Sequence, residues 1–241
     1  MTGRLRRAFL PSAGTGARID LDPEESHHVA RVLRARAGDD LSVFDGRGGE
    51  WQATVEAIAG DRVTVRVGAP VADPVEPPLR VVLHQALVRP EKLEWVLQKG
   101  TEVGIASFRL LPTERGERVP SDSRLARYGR ITLEACKQSG RRIVPGVELA
   151  ASPEGPGGGV IALVLDTSPQ APPLASALAG PAPAEVWIAV GPEGGWTEDE
   201  LAGLDALGWR RVSLGPRTLR TETAGAVAAA IVLNAWGDLG V

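Results

Sequence analysis

The stretch Leu214–Ala224, LGPRTLRTETA, leads directly into a run of small apolar residues, AGAVAAAIVLNAW, that has the composition of a helix. Upstream, Gly191–Trp196 has the sequence GPEGGW, follows the apolar run VWIAV and precedes the helix start TEDE. Two consecutive strands therefore each end in a loop rich in glycine and proline. In an open α/β sheet, ligands bind outside the carboxyl ends of the strands. These two loops therefore predict the ligand site.

The rest of the second half of the chain alternates buried-strand runs with helical patterns. The strand runs are LRVVLHQAL, SFRLLP, VIALVL, EVWIAV and RRVSLG. Helices are predicted from Pro90 to Gly104, from Ser121 or Asp122 onward, and near Leu174–Leu178. This alternation indicates a mostly parallel sheet with helices on both faces. The predicted fold class is α/β, with this domain covering residues 79–241.

The first 69 residues have a different pattern, which is typical of a small β-rich domain. A first strand is predicted over Arg4–Leu10, and Asp22 followed by Pro23 starts a short helix that is expected to end near Gly38. The runs LSVFDG, GEWQATVEAI and DRVTVRV then alternate in polarity and are separated by hairpin signals. Residues 70–78, PVADPVEPP, contain four prolines and little to bury, so they are predicted to be a linker.

Composition limits the class of protein. The chain has 241 residues, of which 43% are hydrophobic, so it can form a substantial core. Its single cysteine, Cys136, excludes an internal disulfide and a cysteine-based zinc site, and we expect no bound metal. No stretch resembles a secretory signal or a bilayer-spanning segment. We therefore expect a soluble, cytoplasmic protein that does not associate with membranes.

The charge is segregated along the sequence. The whole chain has a net charge of −3, whereas residues 80–142 carry an excess of about six positive charges. A confined positive excess in a protein with a pI of 5.7 is typical of a polyanion-binding face, although charge alone is equally consistent with a solvated helix surface. The residues of this segment predicted to contact the phosphates of such a polyanion are Arg124, Arg127, Arg141 and Arg142.

Together the two loops resemble those of the RsmE-type ribosomal RNA methyltransferases of the SPOUT superfamily. The motifs GPEGG and LGPRTLRTETA occur in the family's order and separation, and the chain ends with NAWGDLG in the family manner. Similar strings, among them RRAFL, HHVARVLR, QKGTEVG and EACKQSGR, extend the resemblance over the whole chain. The resemblance implies S-adenosylmethionine-dependent methylation of N3 of a uridine in 16S ribosomal RNA of the small subunit. It also implies an N-terminal PUA-like RNA-binding barrel, a C-terminal SPOUT domain with a trefoil knot, and a homodimer.

The resemblance assigns roles to individual positions. It implies that the cofactor pocket is built from Leu165, Gly191, Pro192, Glu193, Gly194, Gly195, Leu214, Gly215, Leu219, Arg220, Thr221, Thr223 and Ala224. In the first domain it implies RNA contacts at Arg6, Arg7, His28, Arg31 and Arg34.

Two of the loop residues are candidates for the chemistry. Methylation of a uracil N3–H requires loss of a proton, and the resulting negative charge spreads onto the uracil oxygens. Arg220 is the first candidate to stabilise this charge, because a fixed guanidinium is a strong donor in a site that excludes water. Glu222 is the nearest candidate base, but a role in orienting Arg220 or in capping the last helix is the favoured alternative.

Two other functions remain open from the sequence. A SPOUT enzyme that methylates another RNA atom, such as a ribose 2′-hydroxyl, would use the same pocket. A non-catalytic RNA-binding protein with a vestigial pocket belongs to a different functional class, and the intact LRTETA motif argues against it.

Overall fold

The computed structural model describes residues 6–72 and 75–240, and these form two compact units. The first unit contains the described residues up to Glu76 together with Cys136–Val144, and the second contains Pro77–Ala135 and the residues from Pro145 onward. The predicted start of the first strand at Arg4 and two residues of the predicted linker, Asp73 and Pro74, lie outside the described residues.

The first unit is built on a five-stranded sheet. Its strands are β1 (Arg7–Phe9), β2 (Arg18–Asp20), β3 (Asp40–Phe44), β4 (Glu50–Ala59) and β5 (Arg62–Pro70). They lie in the order β1-β3-β4-β5-β2, and β4 is antiparallel to both β3 and β5. The three alternating sequence runs therefore form consecutive hairpins, as predicted. Their inward residues, including Val43, Val55 and Val65, form a core of their own.

The helix of this unit begins as predicted and ends earlier. In α1 (Pro23–His27), the side chain of Asp22 accepts a hydrogen bond from the Glu25 amide, so Asp22 caps the helix. A π-helical turn, His28–Val32, follows. The expected end near Gly38 was wrong, because Arg34 adopts a left-handed backbone conformation with φ of 52°, which is incompatible with continuing the helix.

A buried charge network joins the segment Cys136–Val144 to the sheet of the first unit. The Glu50 carboxylate accepts hydrogen bonds from Arg7 Nε at 2.9 Å and from Arg142 Nε at 2.7 Å. Arg7 also donates to the Cys136 carbonyl at 2.8 Å, and Arg141 pairs with Glu76 at 2.7 Å. The three arginines are only 5–8% exposed. Breaking such a network leaves buried charges without partners, so it is costly to open.

The second unit contains a six-stranded sheet. Its strands are β6 (Arg80–Ala86), β7 (Ser107–Leu111), β8 (Gly146–Leu149), β9 (Val160–Leu165), β10 (Glu185–Val190) and β11 (Arg210–Val212). They lie in the order β11-β9-β10-β6-β7-β8, and every pair is parallel. The mostly parallel α/β fold is therefore confirmed, and β8 is an edge strand that the sequence patterns did not predict.

Helices cover both faces of this sheet. They are α2 (Pro90–Val103), α3 (Asp122–Ser139), α4 (Glu198–Ala206), α5 (Thr221–Trp236) and a 3₁₀ turn at Leu174–Ala177. The core on one face joins the sheet to α2 and α5, and the core on the other face joins it to α4. Gly225 lets α5 approach closely, because a Cβ atom there would lie 3.0 Å from Leu83. None of the helices in the described ranges is long and apolar enough to cross a membrane.

Candidate cofactor and catalytic site

Three neighbouring strands of the second unit end side by side. In the order β11-β9-β10, they end at Val212, Leu165 and Val190, and because all are parallel their loops leave the same edge of the sheet. The Asp166 amide donates to the Val212 carbonyl at 2.9 Å, and Trp196 Nε1 donates to the Leu165 carbonyl at 3.1 Å. Both predicted loops therefore lie at one edge of the sheet, together with the segment that follows Leu165.

Thr221 fastens the start of α5 to the neighbouring loop. Its hydroxyl donates to the Gly191 carbonyl at 2.7 Å and accepts from Gln85 Nε2 at 3.1 Å. Gln85 is fully buried near the end of β6. This short chain of hydrogen bonds joins β6, the loop after β10 and the helix after β11, so it fixes the loops relative to each other.

Lys92, in the first turn of α2, makes contact with both loops. Its Nζ atom lies 2.8 Å from Glu193 Oε1 and 3.5 Å from the buried Glu222 Oε2. The hydrogen bond to Glu193 raises the pKa of Lys92, and the charge of Glu222 adds to the effect. The same hydrogen bond lowers the pKa of the Glu193 carboxyl. One cation therefore holds two carboxylates, one from each loop.

The two candidate catalytic residues are adjacent to this arrangement. Arg220 has an extended backbone, immediately precedes α5 and is exposed. Glu222 lies in the first turn of α5, where a negative charge interacts favourably with the helix dipole. Its carboxylate makes an ion pair with Lys92, and the orienting or capping role expected for Glu222 stays a prediction.

The loops leave room for the predicted cofactor. Gly195 and Gly215 have left-handed backbones, with φ of 71° and 100°, and an added Cβ atom at either would meet no atom within 4 Å. Three leucines of the predicted cofactor pocket, Leu165, Leu214 and Leu219, are half-buried. An apolar surface beside open glycine backbone suits the adenine and ribose of S-adenosylmethionine, so the residues present fit this group.

The other predicted pocket residues take up different surroundings. Pro192, Thr221 and Ala224 are buried, Glu193 contacts Lys92, and Thr223 is half-buried within α5. A Cβ atom at Gly194 would lie 3.2 Å from the Arg115 side chain, and Arg115 Nη1 donates to the Gly194 carbonyl at 2.9 Å. Gly194 is therefore packed against a second loop of the protein.

The predicted RNA-contacting residues differ in exposure. Four of them are exposed, namely Arg31, Arg34, Arg124 and Arg127, and two are half-buried, namely Arg6 and His28. Arg127 is already paired with Glu94, at 2.7 Å and 3.0 Å. Burial in the ionic network of the first unit argues against the RNA contact expected at Arg7 and the phosphate contacts expected at Arg141 and Arg142.

Sequence reasoning missed four residues that shape the site: Gln85, Lys92, Arg115 and Trp196. Two of them carry a signal in the sequence. Gln85 is a polar residue in the otherwise apolar strand run VVLHQAL, and Lys92 is one of only three lysines in the chain. Arg115 and Trp196 carry no such signal, because their roles depend on which loops the fold brings together.

The sequence matches two known domain families. Residues 75–233, about two-thirds of the chain, match the RNA methyltransferase domain family, and residues 21–68 match the RNA methyltransferase PUA domain family. Ribosomal RNA small subunit methyltransferase E of Synechocystis sp. is 37% identical over 93% of this chain and 76% of its own length. The chain belongs to this methyltransferase family.

Other members of the family are similar to this chain in sequence and in structure. The family member of Bacillus subtilis is 32% identical over 83% of this chain and 84% of its own length. The crystal structure of the Neisseria gonorrhoeae member, bound to S-adenosyl methionine, superimposes with a TM-score of 0.89 at 30% identity, covering 98% of this chain and 99% of that one. The family therefore accounts for both units, with a PUA domain followed by a SPOUT-type methyltransferase domain.

Proposed function

We propose that this protein transfers the methyl group of S-adenosylmethionine to N3 of a uridine in the 16S ribosomal RNA of the small subunit. The observation that carries the proposal is the joining of both motif loops at one edge of the parallel sheet by Thr221. The Neisseria gonorrhoeae relative, whose structure contains S-adenosyl methionine, supports the choice of cofactor.

The loops have separate tasks in this proposal. The backbone and apolar side chains around Leu165, the 191–195 loop and residues 214–224 hold the cofactor, which supplies an electrophilic methyl group on a sulfonium. Because this transfer is an in-line displacement, the main task of the protein is to align the uracil nitrogen with that methyl group. Arg220 stabilises the negative charge that appears on the uracil oxygens when N3 loses its proton. Glu222 orients Arg220 or accepts the proton, and Lys92 holds Glu222 in place.

The proposal also covers the domain boundaries, the oligomeric state, the location in the cell and the RNA contacts. We infer a PUA-like RNA-binding domain over residues 1–69, a linker over 70–78 and a SPOUT domain with a trefoil knot over 79–241. The enzyme acts as a homodimer in the cytoplasm. The RNA contacts are made by the exposed residues Arg31, Arg34, Arg124 and Arg127 and by the half-buried residues Arg6 and His28.

The test is methyl transfer in vitro followed by identification of the product nucleoside. The purified protein is incubated with labelled S-adenosylmethionine and unmethylated small subunits or their RNA, and the RNA is digested and analysed by mass spectrometry. The expected product is 3-methyluridine. A 2′-O-methylated nucleoside would replace the proposal by the ribose alternative. Absence of both transfer and measurable cofactor binding would favour a non-catalytic RNA-binding protein.

A further inference from the structure

A cleft of about 430 Å³ lies in the second unit, among the start of α2, the 117–121 segment and α3. Its floor includes the buried side chains of Leu87, Leu93 and Tyr128. Its rim includes the exposed residues Arg118 and Arg124, and most of its accessible lining is polar.

A second, narrower cleft lies beside this one. A space of about 100 Å³ shares Leu87, Val88 and Glu117 with the first and ends at Pro192 and Glu193, in the loop after β10. The narrow cleft is also lined by Arg89 and Arg115. The two clefts are therefore adjacent, and together they are called the groove, whose lining extends from the proposed cofactor loop to α3.

The charge of the groove indicates what it binds. Four arginines line it, Arg89, Arg115, Arg118 and Arg124, against two glutamates, Glu117 and Glu193. Because Lys92 pairs with Glu193 at 2.8 Å, the groove as a whole is positive. A positive, polar groove suits the phosphates of a single-stranded nucleic acid, and the wider cleft leaves space beside them for a base.

The same charge disfavours a second copy of this chain as the occupant. A two-fold interface places the same patch of both subunits face to face, so an interface centred on this groove would bring its arginines together. Like charges across an interface are costly. A nucleic acid strand has the complementary charge, and the narrow end of the groove leads towards the loops where its target base would react.

We propose that this groove is a subsite for single-stranded RNA, in which a nucleotide next to the methylated uridine docks. Its phosphate contacts Arg118 and Arg124, and its base occupies the wider cleft beside them. The inference rests on the proposed function, because it takes the loops after β10 and β11 as the reacting centre. Contacts to a neighbouring nucleotide hold a target base that has left its stack, which is how enzymes acting on bases gain sequence context.

The first arm of the test measures electrostatic contacts. Binding of a fluorescent single-stranded oligonucleotide with the target sequence is measured at several salt concentrations for the full chain and for Arg118→Ala/Arg124→Ala. Each phosphate contact that is lost should reduce the slope of log affinity against log salt by about 0.7, so the double variant should lose about 1.4. Arg130→Ala is the matched control, since Arg130 is exposed on the same helix and does not line the cleft.

The second arm of the test uses a variant that fills the cleft without changing its charge. Ser121 is an exposed rim residue, and Ser121→Trp would place an indole in the space proposed for the base. We expect oligonucleotide affinity to fall at least tenfold, the salt slope to stay unchanged, and S-adenosylmethionine affinity to remain that of the wild type. An unchanged affinity in Ser121→Trp, or an unchanged slope in the double variant, would overturn the subsite.

Two further outcomes distinguish the proposed subsite from an interface between subunits and from a failure of the proposed function. If the arginine variants dissociate the protein in sedimentation experiments but leave the oligonucleotide affinity per subunit unchanged, the groove is an interface between copies and the proposal is wrong. If the wild type binds the oligonucleotide as expected but transfers no methyl group, the proposed function fails while the binding arms still decide the subsite.

Discussion

Replacing Thr221 by valine tests the connection that holds the two loops together. Valine keeps the shape of threonine but removes the donor to the Gly191 carbonyl and the acceptor for Gln85 Nε2, at 2.7 Å and 3.1 Å. Each buried hydrogen bond contributes about 0.5–1.5 kcal/mol to the free energy of unfolding. Gln85 keeps a second hydrogen bond, to the Ala86 carbonyl at 3.2 Å, so a total loss of about 2 kcal/mol is expected.

This loss has two measurable consequences. For a chain of this size it corresponds to a decrease in Tm of about 4–8 °C, measured by calorimetry without cofactor. Because the 191–196 loop loses its anchor to α5, the affinity for S-adenosylmethionine should fall by about tenfold, or about 1.4 kcal/mol. Thr218→Val is the matched control, since Thr218 is an exposed hydroxyl residue in the same loop. A Tm and an affinity for Thr221→Val that equal those of the control would refute the reasoning.

Three further predictions concern charge and protonation. Arg220→Lys should lower turnover by about 100- to 1000-fold with little change in donor or RNA affinity, because lysine keeps the charge and loses the planar fork; a loss confined to donor affinity would make Arg220 a cofactor clamp. Glu222→Gln should show a rate deficit that shrinks as pH rises if Glu222 is the base, and a deficit independent of pH if it orients Arg220 or caps α5. Burial, reinforced by the charge of Arg109, lowers the pKa of His84 to about 3 from its ordinary 6.5. The unfolded chain therefore binds a proton at His84 that the folded chain excludes, and stability should fall by about 2 kcal/mol between pH 7 and pH 5. Denaturant titrations of His84→Gln should lose this dependence, whereas those of the exposed control His27→Gln should keep it.

The fold of the second unit was predictable because its sequence patterns are local. Buried strands such as VIALVL and EVWIAV alternate with helical patterns, and the predicted helix start TEDE is the start of α4, where Thr197 and Glu200 form a capping box. Strand β8 was missed because Gly146–Leu149 is a short edge strand whose residues are mostly exposed, so it lacks an apolar pattern.

The candidate site was predictable in part. The glycine loops could be placed at one edge of the sheet because the carboxyl ends of parallel strands meet there, although β9 lies between the two strands that carry them. The residues that hold those loops could not be predicted. Lys92 and Gln85 contact them from elements about a hundred residues earlier in the chain. Charge counting was misleading for Arg141 and Arg142. The carboxylates that neutralise them, Glu76 and Glu50, are more than sixty residues distant in sequence.

The most direct test of the account is the methylation state of ribosomal RNA in cells with and without this gene. A methyl group on N3 of uridine lies on the pairing edge of the base and stops reverse transcription, so each such nucleotide can be mapped. The account predicts one stop in the small-subunit RNA that disappears when the gene is deleted, returns with the wild-type gene and does not return with Arg220→Lys. A set of stops that is identical with and without the gene would contradict it.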